Sequence, residues 1–150
     1  MGIIKNIDPM KNISGLGIRV EIELSDGGYE LSVTDLVNRV RKFRPYIELN
    51  NGGVLFKGDI NNQIVFVYEC CSLCKKAGIN TCVELKYNQY IDRLYLKYID
   101  SIILDINELP LYNNIDKYIE YFSDMDIYIK CNKLFDYKKF NNVKNIIYIE

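Results

Sequence analysis

Histidine and tryptophan are both absent from this chain of 150 residues. The lack of histidine excludes Ser-His and Cys-His catalysis, and it removes the most common protein ligand of transition metals. No apolar run approaches the length of a membrane span, and the first residues contain no apolar core of a signal peptide. These absences predict a cytoplasmic protein that does not enter a membrane.

Charge of either sign is not in excess, because 19 Lys and Arg against 20 Asp and Glu give a formal net charge of -1. Basic residues cluster at Arg39, Arg41, Lys42 and Arg44, a pattern typical of the solvated face of a helix. Without an overall positive charge we expect no nucleic-acid partner. Apolar residues make up 49% of the chain, enough for one domain over residues 1–150 to bury a core.

Five cysteines, an odd number, argue against a disulfide framework in a cytoplasmic chain. Cys70, Cys71 and Cys74 fall on one predicted helix, and Cys82 falls on the strand after it. Four thiolates there could hold zinc or an iron–sulfur cluster, but a regular helix does not bring three thiolates together on one ion. We expect buried, reduced thiols and no metal site. A metal site on these four cysteines is the alternative.

Residues 52–85 predict a β-α-β unit. A buried strand at residues 53–56 is followed by a glycine turn, an apolar-striped helix to Ala77, and a second strand at residues 79–85. A helix of this length suits a right-handed crossover between parallel strands. The remaining predicted elements are a short strand or arm in residues 1–13, strands at 17–24, 29–31, 101–106, 126–131 and 145–149, a helix opened by Ser32 and ended by Pro45, and helices at 88–98, 114–122 and 136–141.

Strands separated by single helices imply a mainly parallel sheet. About six strands are too few to close an eight-stranded barrel, so we predict an α/β fold with a curved, open sheet and flanking helices. Residues 17–24 alternate between apolar and polar types, which predicts a half-buried strand near a sheet edge. Burying Glu21 and Glu23 unpaired would be costly, so their face must meet water, basic partners or an opened cavity.

Five short segments carry a resemblance to a known family, in order and at similar spacing. They are SGLGIR (14–19), ELSVTDL (30–36), GGVLFKGD (52–59), CKKAGINTC (74–82) and IILDIN (102–107). With them the chain resembles the radical S-adenosylmethionine (radical SAM) activating enzymes, which install the glycyl radical in pyruvate formate-lyase and related enzymes. The resemblance implies a partial (β/α) barrel of radical SAM type.

One departure from this family decides the predicted function. In the family, the first strand leads into a loop whose three cysteines bind a [4Fe–4S] cluster, and the cluster's fourth iron binds S-adenosylmethionine. Here Leu24 passes through residues 25–28 directly to Tyr29, without a cysteine. We therefore expect no iron–sulfur cluster, no reductive cleavage and no catalytic residues. The resemblance implies a shortened relative that lacks the cluster motif.

The resemblance also implies the remnant of a ligand site, in which S-adenosylmethionine could still bind. Gly58-Asp59 stands for the family's G-G-E turn, Asn107 for the lysine of its D-x-K, and Lys130 for an arginine. The full set is Gly52, Gly53, Gly58, Asp59, Glu84, Asp105, Asn107 and Lys130. Ordinary turn chemistry, with Asp59 as a cap of the following helix, is the simpler interpretation of the glycine turns.

These features predict a catalytically silent relative that acts as a protein-binding or regulatory module, with a glycyl-radical enzyme or a full activating enzyme as its partner. The alternative hypothesis is an active one: an enzyme like the activating enzymes, or a small enzyme that binds S-adenosylmethionine or a nucleotide with Asp59, Glu84 and Asp105. Open sheet edges also predict self-association or docking of another protein.

Overall fold

The computed structural model describes residues 1–86, 89–107, 115–131 and 141–148. Its strands are β1 (Gly2–Ile13), β2 (Gly17–Leu24), β3 (Tyr29–Leu31), β4 (Gly53–Gly58), β5 (Asn80–Lys86), β6 (Ser101–Asp105), β7 (Asp126–Cys131) and β8 (Val143–Tyr148). Its α-helices are α1 (Val33–Lys42), α2 (Arg44–Leu49), α3 (Ile64–Lys76) and α4 (Ile115–Tyr121), and short 3-10 turns cover Asn61–Gln63 and Arg93–Leu96.

The strands of the described ranges form one sheet in the order β3-β1-β2-β4-β5-β6-β7-β8. From β2 to β8 each neighbouring pair is parallel, whereas β1 is antiparallel to both β2 and β3. The predicted α/β fold with a mainly parallel, open sheet is confirmed. None of the helices in these ranges is long and apolar enough to cross a bilayer.

The four described helices pack on one face of the sheet, which we call the helix face. Alternate strand residues such as Val20, Phe56 and Val83 point to this face and join the helices in the main core. Because helices cover the parallel strands on this face, the side chains that point to it are almost all aliphatic. This packing leaves polar and charged side chains to the opposite face.

The opposite face is covered by the turn between β1 and β2, and we call it the hairpin face. Leu16 from this turn packs on Leu55, Cys82 and Ile103, which point away from the helices. Its side chain is buried, with a relative exposure of 5%. The molecule therefore has a second, smaller apolar cluster on the far side of the sheet.

The sheet is curled, because the β1–β2 turn reaches strands at the other end of it. The Tyr128 hydroxyl of β7 donates to Gly15 O at 3.4 Å, and a Cβ on Gly15 would lie 3.0 Å from Asn145 Nδ2. In a flat sheet β2 and β7 would be about 19 Å apart at the usual spacing. A bulge in β1, where its register against β2 shifts between Asp8 and Lys11, bends the hairpin.

Local sequence signals explain the first helices. The Ser32 hydroxyl accepts a hydrogen bond from the backbone N–H of Asp35 at 3.1 Å, as the predicted N-cap requires. The helix ends at Lys42, before Pro45. Pro45 lies in the first turn of α2, where its missing N–H leaves no helical hydrogen bond unmade. It therefore also opens a second helix, which was not predicted.

The predicted β-α-β unit is confirmed as β4, α3 and β5, which form a parallel crossover. Gly78, with a φ of +77°, ends the helix. There the N–H of Ile79 donates to Cys74 O at 2.9 Å, and the N–H of Gly78 donates to Lys75 O at 3.0 Å. A glycine in this conformation is the usual device that turns a helix into the next strand.

Two predictions about the strands need correction. β2 does not lie near an edge, because β1 and β4 flank it. Residues 1–13 form a strand of 12 residues rather than a short strand or arm. The bulge in β1 breaks the alternation of side chains, so that the sequence shows no clear period there. The described sheet has eight strands instead of about six, because β1 and the short strand β3 both pair within it.

The helix predicted at residues 88–98 is wrong for its described part, which contains only the 3-10 turn Arg93–Leu96. The Asp92 carboxylate accepts the N–H of Leu94 at 3.0 Å and so caps this turn. The Tyr121 hydroxyl donates to Ile91 O at 2.7 Å, a tertiary contact that holds this segment against α4. The helix predicted at 114–122 is confirmed as α4, and the helix predicted at 136–141 lies outside the described residues.

Candidate functional site

The predicted ligand-site residues do not share one end of the sheet. Gly52 and Gly53 lie at the amino end of β4, whereas Gly58 and Asp59 lie at its carboxyl end. The strand has 6 residues, so its ends are about 16 Å apart at about 3.3 Å per residue. Only the second pair lies where parallel sheets of this kind bind ligands.

Neighbouring backbone explains the glycines at both ends of β4. A Cβ on Gly52 would lie 1.8 Å from Ile18 O, and a Cβ on Gly58 would lie 2.2 Å from Leu24 O. Gly58 also has a φ of +93°, a conformation that favours glycine. The close pairing of β4 with β2 therefore requires these glycines whether or not a ligand binds.

Two of the predicted strand-end acids have partners close by in the chain. Asp59 Oδ1 accepts from the side-chain amide of Asn62 at 2.9 Å. Neither the 3-10 turn at Asn61–Gln63 nor α3 has a side-chain cap, so the predicted capping role of Asp59 is wrong. Asp105 Oδ1 accepts from the backbone and side-chain nitrogens of Asn107 at 3.1 and 3.0 Å. Both carboxylates therefore stabilise local turns.

Glu84 and Lys130 are brought together on the hairpin face. Glu84 Oε1 lies 3.3 Å from Lys130 Nζ, although β6 separates their strands. The two side chains are 10% and 23% exposed, so the pair is largely shielded from water. Each of the two charges is paired with the other, so neither side chain is left as a free acid or base.

A second ion pair lies beside the first, and the sequence did not single out its lysine. Glu21 Oε1 lies 3.2 Å from Lys57 Nζ. Burial lowers the pKa of Lys57, but the carboxylates of Glu21, Glu84 and Glu23 outweigh this effect, and its pKa is raised overall. A third pair joins Glu23 Oε1 and Lys5 Nζ, which lie 3.7 Å apart. The prediction that the acids of β2 must meet water, basic partners or an opened cavity is confirmed, because both acids meet lysines. The alternation of β2 was the signal that could have found this cluster.

A cavity of about 320 Å³ lies on the hairpin face, next to these ion pairs. Glu21, Glu84 and Lys130 from the sheet line it, together with Lys11 from the end of β1. Of the eight residues predicted as a ligand site, only Glu84 and Lys130 reach this cavity. The remaining six lie at strand ends and in turns.

Arg19 anchors the β1–β2 turn at the amino end of the sheet. Its side chain is buried, with 2% exposure. Its Nε donates to Leu16 O at 2.9 Å, and its guanidinium donates to Val54 O and Asn80 O, both at 3.4 Å. Burial lowers the pKa of Arg19 from its ordinary value. These contacts join the turn to β4 and β5, a role that the sequence did not indicate.

All five cysteines are reduced and buried, as expected. Cys70, Cys71 and Cys74 belong to the core of the helix face, whereas Cys82 belongs to the cluster of the hairpin face. Because the sheet lies between them, the four thiols do not converge on one ion. Burial raises the pKa of Cys74 to about 12 and that of Cys82 to about 11, which keeps both thiols protonated.

A [4Fe–4S] cluster of the kind that the resemblance implies does not fit these residues. Such a cluster needs thiolates presented by one loop. The connection between β2 and β3, residues 25–28, contains no cysteine, and the thiols of α3 and β5 are buried in packed cores. Within the described ranges, no group of three or more Cys, Asp or Glu side chains is arranged to hold a metal ion.

No protein-family model matches the chain. The chain is similar to the pyruvate formate-lyase-activating enzyme of Clostridium pasteurianum, with 29% identity over 130 residues that cover 73% of this chain and 54% of that protein. The pyruvate formate-lyase 1-activating enzyme of Escherichia coli K12 is 34% identical over 89 residues, which cover 55% and 36%. The corresponding enzyme of Staphylococcus epidermidis is 27% identical over 97 residues, which cover 58% and 38%.

The chain thus spans about half, or less, of the length of these relatives. The similarity agrees with the segments that carry the resemblance to radical SAM activating enzymes and with the mainly parallel sheet on which those segments lie. The chain is a relative of the pyruvate formate-lyase activating enzymes.

Proposed function

We propose that this chain is a non-catalytic relative of the activating enzymes that binds a protein partner and carries no [4Fe–4S] cluster. The observation that carries the proposal is the connection between β2 and β3, which has four residues and no thiol. An activating enzyme of the radical SAM type needs cluster thiolates at this point in its chain. A chain without them has no route for the electron that cleaves S-adenosylmethionine.

The contents of the hairpin face support the same proposal. Leu16 fills the amino end of this face, and the Arg19 guanidinium holds the turn that carries it. Toward the carboxyl end, Glu21 and Glu84 are each paired with a lysine. A general base must be free to take a proton, and these carboxylates are already engaged. The face is therefore better suited to a stable surface than to catalysis.

The choice of a protein partner is supported by the relatives, which are named as activating enzymes of pyruvate formate-lyase. A scaffold that descends from such enzymes without their chemistry can still use the surface that met the target protein. We infer a glycyl-radical enzyme of the pyruvate formate-lyase type, or a full-length activating enzyme, as the partner. Binding of either one would make the chain a regulator of activation rather than its catalyst.

Two purified proteins test this inference: the pyruvate formate-lyase and the activating enzyme of Clostridium pasteurianum. Each is mixed with the chain and followed by sedimentation velocity, with an unrelated α/β protein of similar size and charge as the control. We expect a saturable complex with at least one of them and none with the control. Absence of a complex with both proteins at ~100 μM, well above the Kd range of weak specific pairs, would contradict the inference.

A functional measurement distinguishes a protein that regulates radical formation from one that binds without any effect on it. The rate of glycyl-radical formation by the full-length enzyme is followed by electron paramagnetic resonance with increasing amounts of the chain. A regulator changes this rate in proportion to the complex formed, and the chain alone produces no radical. A radical signal from the chain without the full-length enzyme would show catalysis and overturn the proposal.

A further inference from the structure

We propose that the cavity on the hairpin face binds a small aliphatic carboxylate. Its volume of about 320 Å³ lies at the lower end of the range of small-molecule sites. It lies above the apolar cluster around Leu16, and the end of β1 forms one of its walls. This inference concerns a ligand and does not depend on the protein partner proposed above.

The charges in and directly beside the lining favour an anion. Glu21 and Glu84 are the acids that line the cavity, and each is neutralised by a lysine at 3.2 or 3.3 Å. Lys11 also lines the cavity and is exposed, and it has no ion pair within the described parts of the chain. Lys57 pairs with Glu21 but does not itself line the cavity. With Lys57 counted, three lysines stand against two glutamates, which leaves one cation in excess and N–H donors on the ammonium groups of Lys11 and Lys130.

The hydrogen-bonding groups at the rim agree with this selection. Asn12 and Ser14 lie beside Lys11 in the chain and line the same cavity. Their side chains can donate to an oxygen held by the ammonium group. A carboxylate has two acceptor oxygens and no donor, so it matches a rim that offers donors from Lys11, Asn12 and Ser14. An amine would meet Lys11 and Lys130 with charge of the same sign.

The remaining walls are apolar. Ile13, Ile103 and Ile147 line the cavity from the end of β1, from β6 and from β8. An aliphatic chain placed against them leaves water, whereas a hydroxylated or phosphorylated chain would have to give up hydrogen bonds there. The combination of a cationic rim and three isoleucines favours a short carboxylate with a branched or linear alkyl tail.

Isothermal titration calorimetry with 4-methylpentanoate tests the proposal, with 4-methylpentan-1-ol and 4-methylpentylamine as isosteric controls of different charge. We expect saturable binding of the carboxylate and at least tenfold weaker binding of the alcohol and of the amine. Leucine, which adds an ammonium group to the carboxylate, should bind more weakly than 4-methylpentanoate, because the acids of the cavity are already paired.

Matched lysine variants locate the site. Lys11→Gln removes the excess cation and should weaken binding of 4-methylpentanoate about tenfold. Lys5→Gln changes an exposed lysine of the same strand that does not line the cavity, and it should leave the affinity within about twofold. Both side chains are solvent-exposed, so neither variant endangers folding. In methyl NMR spectra, Ile103 and Ile147 should shift on titration, whereas Val67 on the helix face should not.

Several outcomes would overturn the proposal. One is the absence of saturable heat at ~10 mM 4-methylpentanoate, where a millimolar site would be filled. Another is equal binding of the carboxylate and the amine, which would show that only the apolar walls act. Equal or tighter binding of leucine would identify a zwitterion site instead. Equal loss of affinity in the Lys5→Gln and Lys11→Gln variants would place the ligand elsewhere on the surface.

Discussion

At the level of single residues, Leu16 decides how the hairpin face is filled. It is an apolar side chain on a turn, where polar residues are usual, and it is buried against Leu55, Cys82 and Ile103. The Leu16 side chain is thereby removed from water, and it closes the amino end of the hairpin face.

Leu16→Ala should lower the free energy of unfolding by about 2–4 kcal/mol, because it removes buried methyl groups and leaves a cavity. Urea unfolding followed by circular dichroism measures the change. Leu49→Ala is the matched control, since Leu49 is 79% exposed and its truncation should change stability by less than about 0.5 kcal/mol. Equal effects of the two substitutions would mean that the turn does not pack on the hairpin face in solution.

Gly58 tests whether the glycines of the predicted ligand site have a structural role. Gly58→Ala should destabilise the protein by about 1–3 kcal/mol without any ligand, because of the positive φ and the contact with Leu24 O. Gly27→Ala is the control, since a Cβ there would meet nothing within 4 Å. If Gly58→Ala unfolds at the same urea concentration as the wild type, the pairing of β4 with β2 does not require this glycine.

At the level of elements, α3 and β5 bury thiols on opposite faces of one sheet. Their placement explains why the cysteine spacing suggested a metal site that the packing does not support. Cys74 and Cys82 lie only eight positions apart in the chain, but the alternation of β5 turns Cys82 away from the helix. The face that a strand residue occupies depends on register, which spacing alone does not reveal.

Thiol reactivity measures this burial directly. In native protein at pH 8, a disulfide reagent should react slowly with all five thiols, and all five should react at once after unfolding. The rate for native protein should rise from pH 8 to pH 10, because thiolate formation at Cys82 requires a pH near its raised pKa of about 11. Rapid reaction of any thiol at pH 8, or zinc bound in stoichiometric amount, would contradict the described packing.

Most elements could be predicted because their side-chain periods are simple. The β-α-β unit follows from buried apolar runs with glycines at the turns, and β6 follows from a buried apolar run. β1 could not be predicted at its full length, because its bulge interrupts the period. A helix was predicted at residues 88–98, before β6, because the local pattern is amphipathic. The hydrogen bond from Tyr121 to Ile91 O is a tertiary contact, which a local pattern does not show.

At the level of the whole molecule, the candidate site was predicted only in part. Glu84 and Lys130 were named from the resemblance, and the structure pairs them. Lys57 and Lys11 were missed, because their roles depend on the curl of the sheet and on the hairpin that folds over it. Contacts between distant strands are set by register and curvature, and neither of these can be read from residue types alone.

At the level of the whole molecule, the proposed function is that of a scaffold similar to the activating enzymes without the cluster thiolates that the family resemblance implies. The iron content of the reconstituted protein therefore distinguishes a chain without a cluster from an active enzyme. The five thiols are buried, burial raises the pKa of the four on α3 and β5, and the β2–β3 connection contributes no thiol. Iron binding tests these cysteines directly and does not require a partner protein.

The most direct measurement is anaerobic reconstitution with iron and sulfide, followed by reduction in the presence of S-adenosylmethionine. The activating enzyme of Clostridium pasteurianum, treated in parallel, is the positive control. The account predicts no cluster absorbance, no protein-bound iron after gel filtration, and no 5′-deoxyadenosine from this chain. A brown protein that retains about four irons per chain and releases 5′-deoxyadenosine would contradict it.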